Sequence, residues 1–304
     1  MIRNISRATA TVVATLSLSL GLAAAPGAVA SATAVGRGAA RSAPSVHAVA
    51  SAGYDMVDIA GGVHPFGSAV SYGDLSGRTL NGPILGMAQT IDHAGYWLVG
   101  SDGGIFSFGD ATFYGSTGGM VLNKTITAIE PTPTGRGYWI VAGDGGIFAF
   151  GDAKFYGSTG NLVLNKRIVD MASTPSGKGY WLVARDGGIF AFGDAKFYGS
   201  TGHIKLNQPI VGMESSLAGD GYWLVASDGG IFSFGNAPYR GSTGAIHLVQ
   251  PIVGMARTLS DDSGYWMVAA DGGLFGFGTA AFKGSLAGTA VPGGQVVGIT
   301  ATGG

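Results

Sequence analysis

The stretch GYWLVASDGGIFSFGNA, Gly221 to Ala237, decides the fold, because the chain repeats it almost unchanged. Copies open at Gly95, Gly137, Gly179, Gly221 and Gly264, at spacings of 42, 42, 42 and 43 residues. One period before Gly95 lies Gly53, which opens GYDMVDIAGGVHPFGSAVSYGDLSG. This is a worn copy: Gly61-Gly62 stands where DGG ends, Phe66-Gly67 where FG stands, and Asp55 replaces the tryptophan. Six units fill Gly53 to Gly304 without remainder. Self-similarity at this period signals an architecture in which each unit stacks on its neighbours.

Each unit predicts four short strands. YWLVA is one, as at Tyr222 to Ala226. Asp228-Gly229 predicts a two-residue type I′ hairpin, whose central residues both take positive φ. IFSFG returns antiparallel, and GDAKFYGSTG predicts an outer strand around Phe197-Tyr198. PIVGMA supplies the fourth, as at Ile210 to Glu214 and Ile252 to Ala256. Nothing in the unit has helical spacing. In YWLVA, Tyr, Leu and Ala point one way and Trp and Val the other, so both faces are apolar and both need cover. A radial stack of small sheets meets that need. The fold class is therefore all-β, a six-bladed β-propeller of 42-residue, four-stranded repeats. Each buried aromatic ring removes about 150–250 Å² from water, worth about 4–6 kcal/mol at ~25 cal/mol/Å².

The phase of the repeat predicts how the ring closes. The first unit lacks a PIVGMA strand of its own, and the chain ends in the matching QVVGITATGG. Val296 to Thr302 is thus expected to join the blade begun by Tyr54, which removes an open edge.

The unit GYW-x-V-x-x-DGG-I/L-F-x-FG-D/N/T-A, with FYGSTG and PIVGMA after it, resembles a glycine-rich propeller repeat of secreted actinobacterial proteins. The resemblance covers everything from Gly53 onward. It implies export and a propeller, and points to the cell envelope or to glycan. It brings no catalytic domain with it. The first unit departs most from the pattern, through Asp55.

Upstream, Arg3 and Arg7 precede an uncharged apolar run from Ala8 to Ala25, and Ala28-Val29-Ala30 reads as a cleavage site. Residues 1–30 are therefore expected to be a secretory signal. Residues 31–52, rich in Ala, Ser and Gly, are read as a flexible linker, and 53–304 as the propeller. No second long apolar run follows, so no membrane span is expected once the signal is removed. The chain has no cysteine and a net charge of -1, so neither a disulfide framework nor a nucleic-acid partner is expected.

The turn aspartates Asp102, Asp144, Asp186, Asp228 and Asp271 fit hairpin geometry better than any calcium-loop spacing. Asp110, Asp152 and Asp194 give way to Asn236 and Thr279 in later units, as turn-capping oxygens do. Histidines at 47, 64, 93, 203 and 247 are scattered, and no nucleophile–base pair, metal set or cofactor motif is expected. The GYW aromatics are read as core, not as sugar platforms. The PIVGMA strands, apolar in consensus, argue against a polar cluster in the channel. The loop after STG varies most: GMVLNKT, NLVLNKR, HIKLNQP, AIHLVQP. It carries the candidate ligand-binding residues Asn123, Lys124, Asn165, Lys166, Arg167, Asn207, Gln208 and Gln250, beside His203, Lys205 and His247. This connection and the DGG turn should share one end of the blade. The resulting expectation is a secreted, monomeric, non-enzymatic binding module for an envelope polysaccharide. The alternative is a scaffold for another exported protein.

Overall fold

The computed structural model describes residues 51–303. The expected signal and residues 31–50 of the expected linker lie outside that range. Strand β1 (Ser51–Asp58) begins two residues earlier than the linker boundary, because Ser51 finds a partner in Gly303.

The described residues form six antiparallel sheets. Blade 1 joins β1 and β2 (Val63–Gly67) to β18 (Val296–Gly303). Blade 2 holds β3 (Ile84–Gln89), β4 (Gly95–Gly100) and β5 (Ile105–Gly109); blade 3 holds β6 (Ile126–Pro131), β7 (Gly137–Ala142) and β8 (Ile147–Gly151). Blade 4 is β9 (Ile168–Ser173), β10 (Gly179–Ala184) and β11 (Ile189–Gly193). Blade 5 is β12 (Ile210–Ser215), β13 (Gly221–Ala226) and β14 (Ile231–Gly235). Blade 6 is β15 (Ile252–Arg257), β16 (Gly264–Ala269) and β17 (Leu274–Gly278). The GYW strand is central in each, with the PIVGMA-type strand inside it and the IFxFG strand outside.

The inner strands touch in a closed cycle, β3 to β6, β9, β12, β15, β18 and back to β3, so the sheets form a ring. The closing strand pairs as the phase of the repeat requires, with Tyr54 opposite Ala301 and Met56 opposite Ile299. Each of the six apolar clusters lies between two blades. Trp139 and Val141 of blade 3, for example, pack on Tyr180, Leu182 and Ala184 of blade 4. Every residue of the GYW strands in blades 2 to 6 is buried, which is the two-faced burial their alternation demands.

Two local details differ from expectation. The sheets have three hydrogen-bonded strands, not four. The FYGSTG segment runs outside the third strand but is held by side chains in place of a ladder. Trp181 donates its indole N–H to the Lys196 carbonyl (2.7 Å), while the Tyr222 hydroxyl of the next blade accepts from Tyr198 N–H and donates to the Gly199 carbonyl. The segment is thus strapped across two blades. Phe113, Phe155, Phe197, Tyr239 and Phe282 face outward from it.

The DGG hairpins are also not type I′. Gly187 takes φ +77°, whereas the only non-glycine residues with positive φ among those described are His93 and Asp262. Gly187 N–H bonds to the Ala184 carbonyl and Ala184 N–H to the Gly188 carbonyl. This is a three-residue turn with a glycine bulge. Asp186 sits before the glycine and accepts from Gly188 N–H at 3.1 Å. The same bond recurs at Asp102, Asp144, Asp228 and Asp271, so the aspartates make the turn as read.

Candidate functional site

The loops after STG and the DGG turns do share one end of the ring. Arg185 N–H in one turn bonds to the Arg167 carbonyl at the end of a loop, and Ile168 N–H bonds to the Gly143 carbonyl of the preceding turn. Each loop is therefore pinned to the turns of two neighbouring blades. A half-buried leucine anchors it from below: Leu122, Leu164, Leu206 and Leu248 pack against successive inter-blade clusters.

Above that anchor, Asn123, Lys124, Asn165, Lys166, Arg167, Asn207, Gln208 and Gln250 are all exposed on this rim, as are His203, Lys205 and His247. They lie at equivalent places on adjacent blades and do not converge on one cavity. Sequence reasoning missed what lies among them. Met120, Val121, Leu162, Val163, Ile204, Ile246 and Val249 are exposed at the loop tips. Their signal was in plain view in the pairs MV and LV, which stand before the anchoring leucine. The rim therefore alternates apolar tips with amides and cations.

The opposite end carries the TPTGRG and TPSGKG turns. Here Asp152 accepts from Thr132 (2.9 Å) and Thr134 (2.5 Å), and Asp194 from Thr174 and Ser176, so these aspartates cap turns. Asn236 bonds to Asp220, and Thr279 meets Ser263, in the units that lack the aspartate. The GYW tryptophans are fully buried or nearly so, which makes them core.

The inner strands enclose a channel cavity of about 590 Å³. Its wall corrects the expectation of an apolar channel, because Glu130, Asp170 and Glu214 stand on three consecutive inner strands. Each reaches to the next blade and accepts from a backbone N–H: Ser173 for Glu130 (2.9 Å), Met213 for Asp170 (2.9 Å) and Arg257 for Glu214 (3.2 Å). The inner strands are sheet edges with unpaired N–H groups, and the carboxyls satisfy them across the gap between blades. Burial, reinforced by mutual repulsion, pushes Glu130 up to about 8 and Asp170 up to about 7. Burial also raises Glu214, against the pull of Arg257. Glu130 thus stays largely protonated at neutral pH. The departures of ITAIEP, IVDMAS and IVGMES from IVGMA were the legible sign.

No protein-family model matches the chain, and no curated protein matches it in sequence. Solved structures do match in fold. A chain of a nidogen–laminin complex is 10% identical with a TM-score of 0.53, covering 82% of this chain and 97% of that one. The β-propeller domain of Cps50 (Swd1) from Myceliophteria thermophila is 10% identical with a TM-score of 0.50, covering 78% and 84%. A Bacteroides thetaiotaomicron protein of unknown function is 12% identical with a TM-score of 0.48, and the match spans 73% of this chain and 61% of that one. At such identities the likeness is one of fold, and the fold is a β-propeller. Among the described residues no helix is long and apolar enough to cross a membrane.

Proposed function

We propose that this propeller is an exported, non-enzymatic binding module that holds a protein partner on the rim of DGG turns and STG loops. The observation that carries the reading is the repeated exposure of apolar tips, Met120-Val121, Leu162-Val163, Ile204 and Ile246, on loops anchored from below. Apolar tips ringed by Asn, Lys and Gln match the mixed make-up of protein interfaces, an apolar centre with a polar rim. A glycan surface would call for exposed aromatic platforms on that rim, and its large exposed residues are aliphatic. A chain of similar fold comes from a protein–protein complex, that of nidogen with laminin, which is a precedent for the fold in such a role.

Export rests on the N-terminal pattern alone. The rim reading is tested by panning the mature protein against exported proteins and against insoluble envelope polysaccharide. Two variants separate the outcomes. Val121→Asp with Val163→Asp should abolish retention of a protein partner, with melting unchanged because both residues are exposed. Asn165→Ala with Asn207→Ala should release the protein from polysaccharide if glycan is the true ligand. Loss on the amide variant together with retention on the aspartate variant would replace the protein reading by the glycan one.

A further inference from the structure

Five of the six seams between blades are filled alike. The tryptophan of one blade lies against the tyrosine of the next, with ring centres 5.4 to 5.9 Å apart. Its indole N–H donates to a carbonyl of the outer segment. At the seam between blades 1 and 2 the tryptophan position is Asp55, while Tyr96 keeps its place opposite. Where the other seams hold an indole, this one holds a cavity of about 440 Å³, lined among others by Asp55, Val70, Tyr72, Ile91, His93 and Thr302.

Three buried polar atoms of that lining have no hydrogen-bond partner: Asp55 Oδ1, His93 Nδ1 and Thr302 Oγ1. Asp55 is 1% exposed and Thr302 3%. The other carboxylate oxygen of Asp55 is occupied, accepting from the Gln89 amide at 2.7 Å. Buried polar groups in folded proteins are almost always paired, so three unpaired ones among the residues lining one cavity point to a ligand. His93 holds φ +58° where the equivalent turns of blades 3 to 5 have Gly135, Gly177 and Gly219 at +65° to +69°. Blade 6 also departs from glycine at this turn, with Asp262 at φ +53°, so what sets this seam apart is Asp55 in the place of the tryptophan.

We propose that the seam between blades 1 and 2 binds a small ligand through a primary ammonium group. Asp55 offers a free carboxylate oxygen, Thr302 a hydroxyl and His93 a ring nitrogen, so the lining carries as many unpaired acceptors as an ammonium has N–H donors. Burial lowers the His93 pKa, which keeps the imidazole neutral and its lone pair available. No Lys or Arg lines the cavity, and Asp92 adds a second carboxylate at its wall. Tyr72 supplies an aromatic wall beside a cation, and Val70 and Ile91 an apolar surface for a short carbon chain.

Such an ammonium could be carried by a lysine-like side chain or by an amino sugar, and the test separates them. The chain would be titrated at pH 7.5 with butylammonium and with glucosamine, each against its uncharged counterpart, butanol or glucose. Saturable binding of at least one ammonium, at least about tenfold tighter than its counterpart, is expected, and the one that binds names the source. Asp55→Asn should weaken that binding at least about tenfold with melting within a few degrees of the parent. Asp55→Trp restores the residue of the other seams and should abolish binding while melting holds or rises. If that variant does not fold, the asparagine variant decides. Binding of neither ammonium, equal binding of the uncharged counterpart, or unchanged binding by Asp55→Asn would each overturn the proposal.

Discussion

The seam between blades 4 and 5 and the seam between blades 1 and 2 share one backbone plan and differ in what fills them. In the first, Trp181 and Tyr222 meet at 5.8 Å, and both strap down outer segments. In the second, Tyr96 still holds its outer segment, bonding to Tyr72 N–H and the Gly73 carbonyl, but faces Asp55. The ring closes all the same. Val57, Val63, Leu75, Ile84 and Leu98 pack in the rest of the seam, and Asp58 rebuilds the missing turn. It accepts from Ala60 N–H, Gly62 N–H and His64, where other units use the DGG aspartate. One seam is thus sealed by an aromatic pair, and the other is held open by its surroundings. A propeller of this kind can dispense with one indole in six without losing closure, and gains a polar cavity there.

The largest expected contrast is in stability. Trp181→Ala should cost about 3–5 kcal/mol, from lost burial plus the cavity left behind. Asp55→Ala should cost no more than about 1–2 kcal/mol, because the loss of the Gln89 bond is offset by removal of a buried carboxyl with one oxygen unpaired. Denaturant unfolding of the pair would break the comparison if the two costs came out equal.

The next contrast is in pH. Burial pushes Asp55 up to about 6, against the Gln89 bond, and Glu130 and Asp170 higher still. A carboxyl whose pKa is raised by folding binds more protons in the native state. Its contribution is full below the unfolded value of about 4 and is lost as pH rises through the folded value. Melting temperature should therefore fall by a few degrees between pH 5 and pH 8. Asp55→Asn should remove only the part of that loss complete by about pH 6. Glu130→Gln should remove the part extending to about pH 8. A flat profile in the parent would refute both assignments.

The smallest effect concerns the turn. His93→Gly installs the residue of three of the equivalent turns and relieves left-handed strain, so it should raise stability by up to about 1 kcal/mol. A loss of stability would show that the imidazole holds the seam together.

Periodicity made the ring legible before any coordinate. The period set the blade number, the alternation in GYWLVA set the two-sided burial, and the unmatched PIVGMA strand set the closure. Legibility failed where a consensus stood in for individual residues. Reading the inner strands as IVGMA hid Glu130, Asp170 and Glu214, whose role depends on an N–H of the neighbouring blade and so on tertiary placement. Asp55 was read as wear in the repeat, since its unpaired oxygen appears only once Thr302, from the far end of the chain, lies beside the same cavity. The type I′ turn was the usual reading of Asp-Gly, but the first glycine takes the positive φ alone, as the bulge of a three-residue turn, and spares the aspartate one. The rim residues were placed at the correct end, yet their apolar neighbours were passed over as spacers.

The closing pair β1 and β18 has a mechanical consequence. In blades 2 to 6 a short covalent turn joins the inner strand to the GYW strand; in blade 1 that turn is absent, and Ser51 lies opposite Gly303. The two strands are antiparallel and their outer ends leave the ring side by side, so tension applied through them peels the pair open from Ser51 inward. The ladder then breaks one bond at a time, the weakest way to load it, while the other five sheets stay in register. Pulled by its ends, the ring opens at blade 1, beside the Asp55 cavity, and a ligand held there would be released at the first yielding of the clasp.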